Sequence, residues 1–176
     1  MAVYINNDPK VIRHILHDDG RFPNSSLFVL IYKNAFYLPE EEAASVIEGT
    51  FKNNDWGNLW RNGIYDYHHF HSNTHEVLGV YEGETTVQLG GPNGISEKLE
   101  RGDVIIIPAG VAHKNIEAGK DFKCVGAYPE GKDFDIKKGD PTERPEADKN
   151  INEVLLPEND PVYGETGLLM LNWEMQ

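Results

Sequence analysis

The sequence has one cysteine, Cys124, in 176 residues. No intramolecular disulfide can brace the chain, and a reducing compartment suits it. Long hydrophobic runs are absent. The longest, such as Leu27 to Tyr32, are far too short to span a membrane. The N-terminus, Met-Ala-Val-Tyr-Ile-Asn-Asn-Asp-Pro, has neither the basic nor the apolar stretch of a signal peptide. The expectation is a cytoplasmic protein with no membrane partner. Basic residues are scarce: 16 Lys and Arg stand against 29 Asp and Glu, a formal net charge of -13. Such a balance repels phosphate backbones and argues against a nucleic-acid partner. It leaves an anionic small substrate open, because a local metal ion can outweigh a distant surface field.

What is present describes an ordinary water-soluble chain, 39% hydrophobic and 26% charged. Its length is that of one domain, 1–176, large enough to bury a core without a structural metal. Ten prolines and 17 glycines imply many turns and favour a mainly all-β architecture over a helical bundle.

Read along the chain, 1–20 form a leading arm in which Val11–Leu16 has strand character before the turn at Asp18-Asp19-Gly20. Leu27–Tyr32 is an apolar run of strand length. One helix is predicted near 39–53. Pro39 suits a first turn, Glu40, Glu41 and Glu42 suit the N-terminal dipole, and Ala43, Val46, Ile47, Thr50 and Phe51 recur at helical spacing. It belongs outside the β core, packed on one face. From Trp60 to Tyr128 short strands and turns alternate. Tyr65–His71 alternates, and Val77–Tyr81 and Thr85–Leu89 are further strands. Val104–Ile107 is a β-branched run that reads as buried, and Asp121–Tyr128 closes the series. The barrel core thus lies at about 60–128, between an N-terminal arm and helix (1–59) and a C-terminal tail (129–176). Within the tail, 129–150 reads as a long surface loop. Val154-Leu155-Leu156 and Gly167–Trp173 are apolar enough to fold back on the body.

The histidines carry the functional signal. Of seven, five fall between positions 68 and 113. His69 and His71 are two apart in an alternating segment, so they project from one face. Glu76 follows after Ser72-Asn73-Thr74, enough chain to bend back, and His113 follows the turn at Pro108-Ala109-Gly110. Imidazole suits zinc, copper, iron and nickel, and a carboxylate adds affinity for manganese. No thiolate joins the set, which argues against a structural zinc cluster. Three His and one Glu on a six-coordinate ion leave open positions for water or substrate.

These residues sit in a recognisable frame. Gly63, His69, His71, Glu76 and Gly83 match the first cupin motif at every fixed position. Gly102, Pro108 and His113 match the second, with its trailing Asn displaced to Asn115. The chain therefore resembles the cupin superfamily. Its flanks, Trp60-Arg61-Asn62-Gly63 and Asp160-Pro161-Val162-Tyr163-Gly164, are similar to the YjlB-like group of uncharacterised single-domain cupins. The resemblance implies a double-stranded β-helix, a jelly-roll barrel of two antiparallel sheets. It implies one divalent transition metal (Fe, Mn, Ni or Zn) on His69, His71, Glu76 and His113, a small-molecule ligand, and by analogy a homodimer.

Other residues invite plainer readings. His75 has opposite parity to Glu76 and reads as a rim or surface histidine, with acid–base chemistry as the sharper alternative. Tyr67 and Tyr65 share parity with His69 and read as core packing, Tyr67 being the pocket-wall and catalytic candidate. His68 reads as packed or solvent-facing, and His14 and His17 as structural. Arg61 reads as a structural salt bridge, Cys124 as a buried inert thiol lining the interior with Tyr128, and the three tryptophans as core or interface anchors. The functional expectation is a metal-dependent, dioxygenase-like oxidoreductase acting on a small organic molecule. The alternatives are a metal-dependent isomerase or decarboxylase, and a metal- or ligand-binding protein without turnover. Fold alone does not choose among them.

Overall fold

A computed structural model describes residues 3–119 and 121–174. The strands are β1 (Lys10–Leu16), β2 (Ser25–Lys33), β3 (Trp56–Asn62), β4 (Glu76–Glu82), β5 (Glu84–Leu89), β6 (Ile95–Glu100), β7 (Val104–Ile107), β8 (His113–Ala118) and β9 (Lys123–Pro129). They form a six-stranded sheet in the order β1-β2-β7-β4-β9-β3 and a three-stranded sheet in the order β6-β5-β8. Every pairing is antiparallel.

The side-chain pattern explains why the sheets close on each other. In β7, Val104 and Ile106 belong to one buried cluster, Ile105 and Ile107 to another. The larger sheet is therefore covered on both faces, which is why β7 reads as an unbroken apolar run. Its inner face, including Ile31, Leu78, Val80 and Cys124, meets Val87, Leu89 and Leu99 of the smaller sheet. Strand β5 alternates exposed or half-buried with buried residues, the signature of a sheet with one wet face.

The outer face of the larger sheet is covered by a helix and by the tail. Helix α1 spans Ala43–Asn53 and buries Ala43, Ala44, Ile47 and Phe51. It starts four residues later than Pro39. Glu42 is left-handed, with φ 64°, and that conformation cannot carry a right-handed helix upstream. The three glutamates precede the helix, and its first turn has no acidic residue. At the contact, Gly79 of β4 has no room for a Cβ, which would lie 2.8 Å from Ile47 and 3.0 Å from Phe51. Arg61 of β3 grips Glu48 of the helix through Nε (2.9 Å) and Nη2 (2.6 Å), as the salt-bridge reading anticipated.

Two further helices lie in the tail, α2 (Glu146–Glu153) and α3 (Leu168–Glu174). Trp173 of α3 is buried, and its Nε1 donates to the Phe28 carbonyl at 2.9 Å. The buried Asp160 carboxylate accepts from Val162 N (2.8 Å), Tyr163 N (3.0 Å), Leu169 N (3.2 Å) and the Tyr32 hydroxyl of β2. One carboxylate thus fastens the tail to the sheet. Among the described residues no helix is long and apolar enough to cross a membrane.

Candidate metal centre

Four of the residues singled out in the sequence meet at one end of the barrel interior. Glu76 opens β4 on its inner face and His113 opens β8 opposite. His69 and His71 come from the segment joining β3 to β4. That segment is not the strand its alternation predicts. It is held by isolated bridges, His69 to His113 and Phe70 to Lys137, with Tyr65–Tyr67 irregular. Extended chain alternates its side chains with or without a ladder, so His69 and His71 still share a face.

His69, His71, Glu76 and His113 are 3%, 5%, 4% and 2% exposed. The three histidines offer nitrogens within 4.8 Å of one another and could hold a metal ion. Glu76 Oε2 lies 3.4 Å from His71 Nε2, and Oε1 lies 3.2 Å from His113 Nε2. Bonds of about 2.1 Å to a common ion would set neighbouring donors roughly 3.0–3.4 Å apart.

Each imidazole is turned by a backbone carbonyl. His69 Nδ1 lies 3.0 Å from Tyr67 O, His71 Nδ1 2.5 Å from Asp135 O, and His113 Nδ1 3.0 Å from Val111 O. A carbonyl only accepts, so every Nδ1 carries the proton and every Nε2 keeps its lone pair in the neutral form. His71 Nε2 is buried with no hydrogen-bond partner. Imidazole nitrogens 3.2 and 3.4 Å from a buried carboxylate, with a third close by, call for positive charge among them.

The electrostatics agree. Burial, then the neighbouring His113, pushes His69 down to about 3, so it is neutral at physiological pH. Burial resists charge on Glu76, yet the imidazoles of His71 and His113 beside it outweigh that and hold the carboxyl well below its ordinary range. Burial likewise opposes charge on His71, and Glu76 overrides it and raises that imidazole. The donor set thus fits a divalent ion: three imidazoles that turn Nε2 away from their backbone partners, an ionised carboxylate, and second groups that fix their orientation.

A cavity of about 310 Å³ opens beside the four residues. Part of its wall comes from the segment after β9, whose polarity predicts a surface loop. Phe134 stacks on Tyr128 (centroids 4.8 Å, planes 21°) and meets His71 edge-on at 5.1 Å. Asp135 accepts from Ser72 N at 2.7 Å and from the Ser72 hydroxyl, while its carbonyl orients His71. Only the interior parity of Tyr128 was a usable signal in the sequence. Phe134 and Asp135 lie in a polar stretch without periodicity.

The other candidates fall elsewhere. His75 is 2% exposed, not a rim residue. Parity does put it on the opposite face from Glu76, but the tail covers that face. His75 packs on Trp173 at 4.7 Å and its Nδ1 accepts from Ala109 N at 2.9 Å. Tyr65 is 48% exposed and Tyr67 half-buried, so neither is core. They stack on each other at 5.0 Å beside His69, and Tyr65 lines the cavity. His68 packs against Phe22, and His14 pairs with Glu97 at 2.7 Å. Cys124 is fully buried and its thiol is pushed up, chiefly by burial.

The cupin domain family matches residues 59–126. Over 157 residues the chain is 41% identical to the uncharacterized protein YjlB of Bacillus subtilis (strain 168), across 89% of this chain and 92% of that protein. Among solved structures, a DUF861 family protein of Thermotoga maritima aligns with 21% identity and a TM-score of 0.34, over 56% of this chain and 96% of that one. The acireductone dioxygenase of Bacillus anthracis aligns with 14% identity and a TM-score of 0.38, over 67% and 77%. Neither of these two likenesses bears on activity. The two-sheet barrel, its motif histidines and the extent of the match to YjlB agree: this chain belongs to the cupin superfamily, in the YjlB-like group.

Proposed function

We propose that this chain binds one divalent transition metal (Fe, Mn, Ni or Zn) through His69, His71, Glu76 and His113. We further propose that it is a dioxygenase-like oxidoreductase acting on a small organic molecule in the adjoining cavity. One observation carries the reading: three buried imidazoles, each with Nδ1 tied to a carbonyl, bring their nitrogens within 4.8 Å of one another, and two of them lie within 3.4 Å of one buried carboxylate. When bound, a redox-active ion supplies electron transfer to dioxygen and polarisation of a substrate oxygen. The chain's own part is to exclude water, orient the imidazoles through Tyr67, Val111 and Asp135, and hold a proton on the Tyr128 hydroxyl beside Glu76. His75 backs onto the tail and Tyr67 onto Tyr65, so the proposal gives neither a proton-transfer role.

A second reading, metal and ligand binding without turnover, has one observation in its favour. Among the described residues lining the cavity, no histidine or carboxyl stands outside the four. Metal analysis and oxygen uptake separate the two. The chain is loaded with Fe(II), Mn(II), Ni(II) or Zn(II) and offered small acids, phenols, thiols and sugars. The enzyme reading expects one ion per chain, turnover with one metal, and loss of both in His113→Ala. Metal and ligand binding without turnover selects the second reading. Wild-type protein that takes up no stoichiometric metal sinks both.

A further inference from the structure

The cavity's walls say what it can admit. Trp60, Tyr65, Tyr128 and Phe134 bring four aromatic rings to it, and Ile64 and Leu78 add aliphatic surface. Its volume is about 310 Å³. A cavity of about 150 Å³ lined by apolar side chains suffices for benzene, so this one has room for one substituted ring or two fused rings. Phe134 is 36% exposed although one face stacks on Tyr128, which leaves ring surface free for a ligand.

Charge narrows the choice. The one lysine or arginine among the described lining residues is Arg61. Its guanidinium is already spent on Glu48, at 2.9 and 2.6 Å, and on Ser45 Oγ at 3.3 Å. The Trp60 Nε1 donates to Tyr128, and the Tyr128 hydroxyl to Glu76. An anionic group within reach of the proposed metal would be paired by the ion itself, but a charged group further from it would find no free side-chain cation, and an unpaired buried charge is costly. Flat neutral rings need no such partner and gain from aromatic walls.

We infer that this cavity takes a small molecule built on one or two flat rings, with no charged group beyond one the metal could pair, and with Phe134 as the residue that selects for it. The inference rests on the proposal that the cavity is the substrate site. It is tested with full-length protein carrying its own metal, whose content is measured on the same sample. The probe is 4-fluorobenzyl alcohol, followed by 19F NMR, with benzyl alcohol, succinate and glucose 6-phosphate as competitors.

Wild-type protein is expected to broaden the probe signal, and benzyl alcohol to restore it, while succinate and glucose 6-phosphate do not. Phe134→Ala and Phe134→Leu are expected to weaken the probe by roughly three- to tenfold. The leucine variant keeps an apolar side chain at this partly exposed position and removes only the flat face. Protein with one metal per chain that ignores the probe, or binds glucose 6-phosphate or succinate more tightly, overturns the ring assignment and spares the metal centre. So does a Phe134→Leu variant that binds like wild type. Protein without metal that still holds the probe supports the ring assignment and overturns the metal proposal instead.

Discussion

The Tyr128 hydroxyl donates to Glu76 Oε2 at 2.7 Å and itself accepts from Trp60 Nε1 at 2.9 Å. The register of three adjacent strands makes this chain of bonds. Val77 pairs with Ala127, and Trp60 pairs with Gly126. One residue beyond the first pair, Glu76 and Tyr128 face each other on the inner side of β4 and β9. The proposed metal-binding carboxylate is therefore aimed by the sheet through a phenol, in the way carbonyls aim the three imidazoles.

Tyr128→Phe tests that aim. The ring and its stack on Phe134 remain, and only the bond to Glu76 and the acceptor for Trp60 are lost. Metal affinity is expected to fall by about 10- to 100-fold, the usual effect of removing a group that orients a ligand. Folding stability should drop by only about 1 kcal/mol. Competition against a chromophoric chelator gives the first quantity and urea unfolding the second. Unchanged metal affinity would mean that Glu76 is held in place without Tyr128.

Gly126→Ala perturbs the same chain from the other strand. A Cβ built on Gly126 would fall inside the Trp60 indole, so the indole lies directly across the glycine. The added methyl must push Trp60 off Tyr128 and reshape the cavity wall, at about 1–3 kcal/mol as for other overpacked sites. Near-ultraviolet circular dichroism should change. The double variant Trp60→Ala/Gly126→Ala should be less unstable than the sum of the single changes, because the methyl then fills vacated space. Simple additivity would show that the clash is relieved by some other route.

These examples mark what the sequence discloses. The β7 run, the inner parity of Tyr128 and the spacing that gathers His69, His71, Glu76 and His113 were all legible, because strand periodicity and motif glycines are local. Phe134 and Asp135 were not. They come from a segment whose polarity announces a loop but not its destination. His75 was half legible, since parity gave its side of the sheet and nothing local says that Trp173, nearly a hundred positions away, covers that side. Tyr65 and Tyr67 misled because an extended loop alternates like a strand. The start of α1 misled because three glutamates suit a helix dipole equally well just ahead of the helix.

Asp160→Ala should unfasten the tail without disturbing the proposed metal centre. Its carboxylate is buried on the outer side of the larger sheet, and its loss strands the Tyr32 hydroxyl and three backbone N–H groups. Unpaired buried donors cost about 1–3 kcal/mol each before relaxation, so a loss of at least about 3 kcal/mol is expected. Metal content should stay at the wild-type level in the folded protein. Urea unfolding and elemental analysis check the two halves. A loss under about 1 kcal/mol would show that the tail is held by Trp173 and its neighbours instead.

Arg144 binds both Asp18 oxygens, at 2.8 and 2.6 Å, and also Asp148 of α2. Those hydrogen bonds, against a smaller opposing effect of burial, lower the Asp18 carboxyl from 3.8 to about 2. A carboxyl whose folded pKa is depressed adds stability above its unfolded pKa and loses it as pH falls through the folded one. The Asp18 tie should be complete above about pH 4 and weaken towards pH 2. Asp18 is 48% exposed, so solvent screening limits the effect to at most about 1 kcal/mol. Asp18→Asn should therefore be slightly less stable than wild type at about pH 6, and the gap should narrow near pH 2. Added salt at pH 6 should narrow it too. Urea unfolding of both proteins at the two pH values measures the gap, and a gap equally wide at both would place its origin outside the Asp18–Arg144 pair.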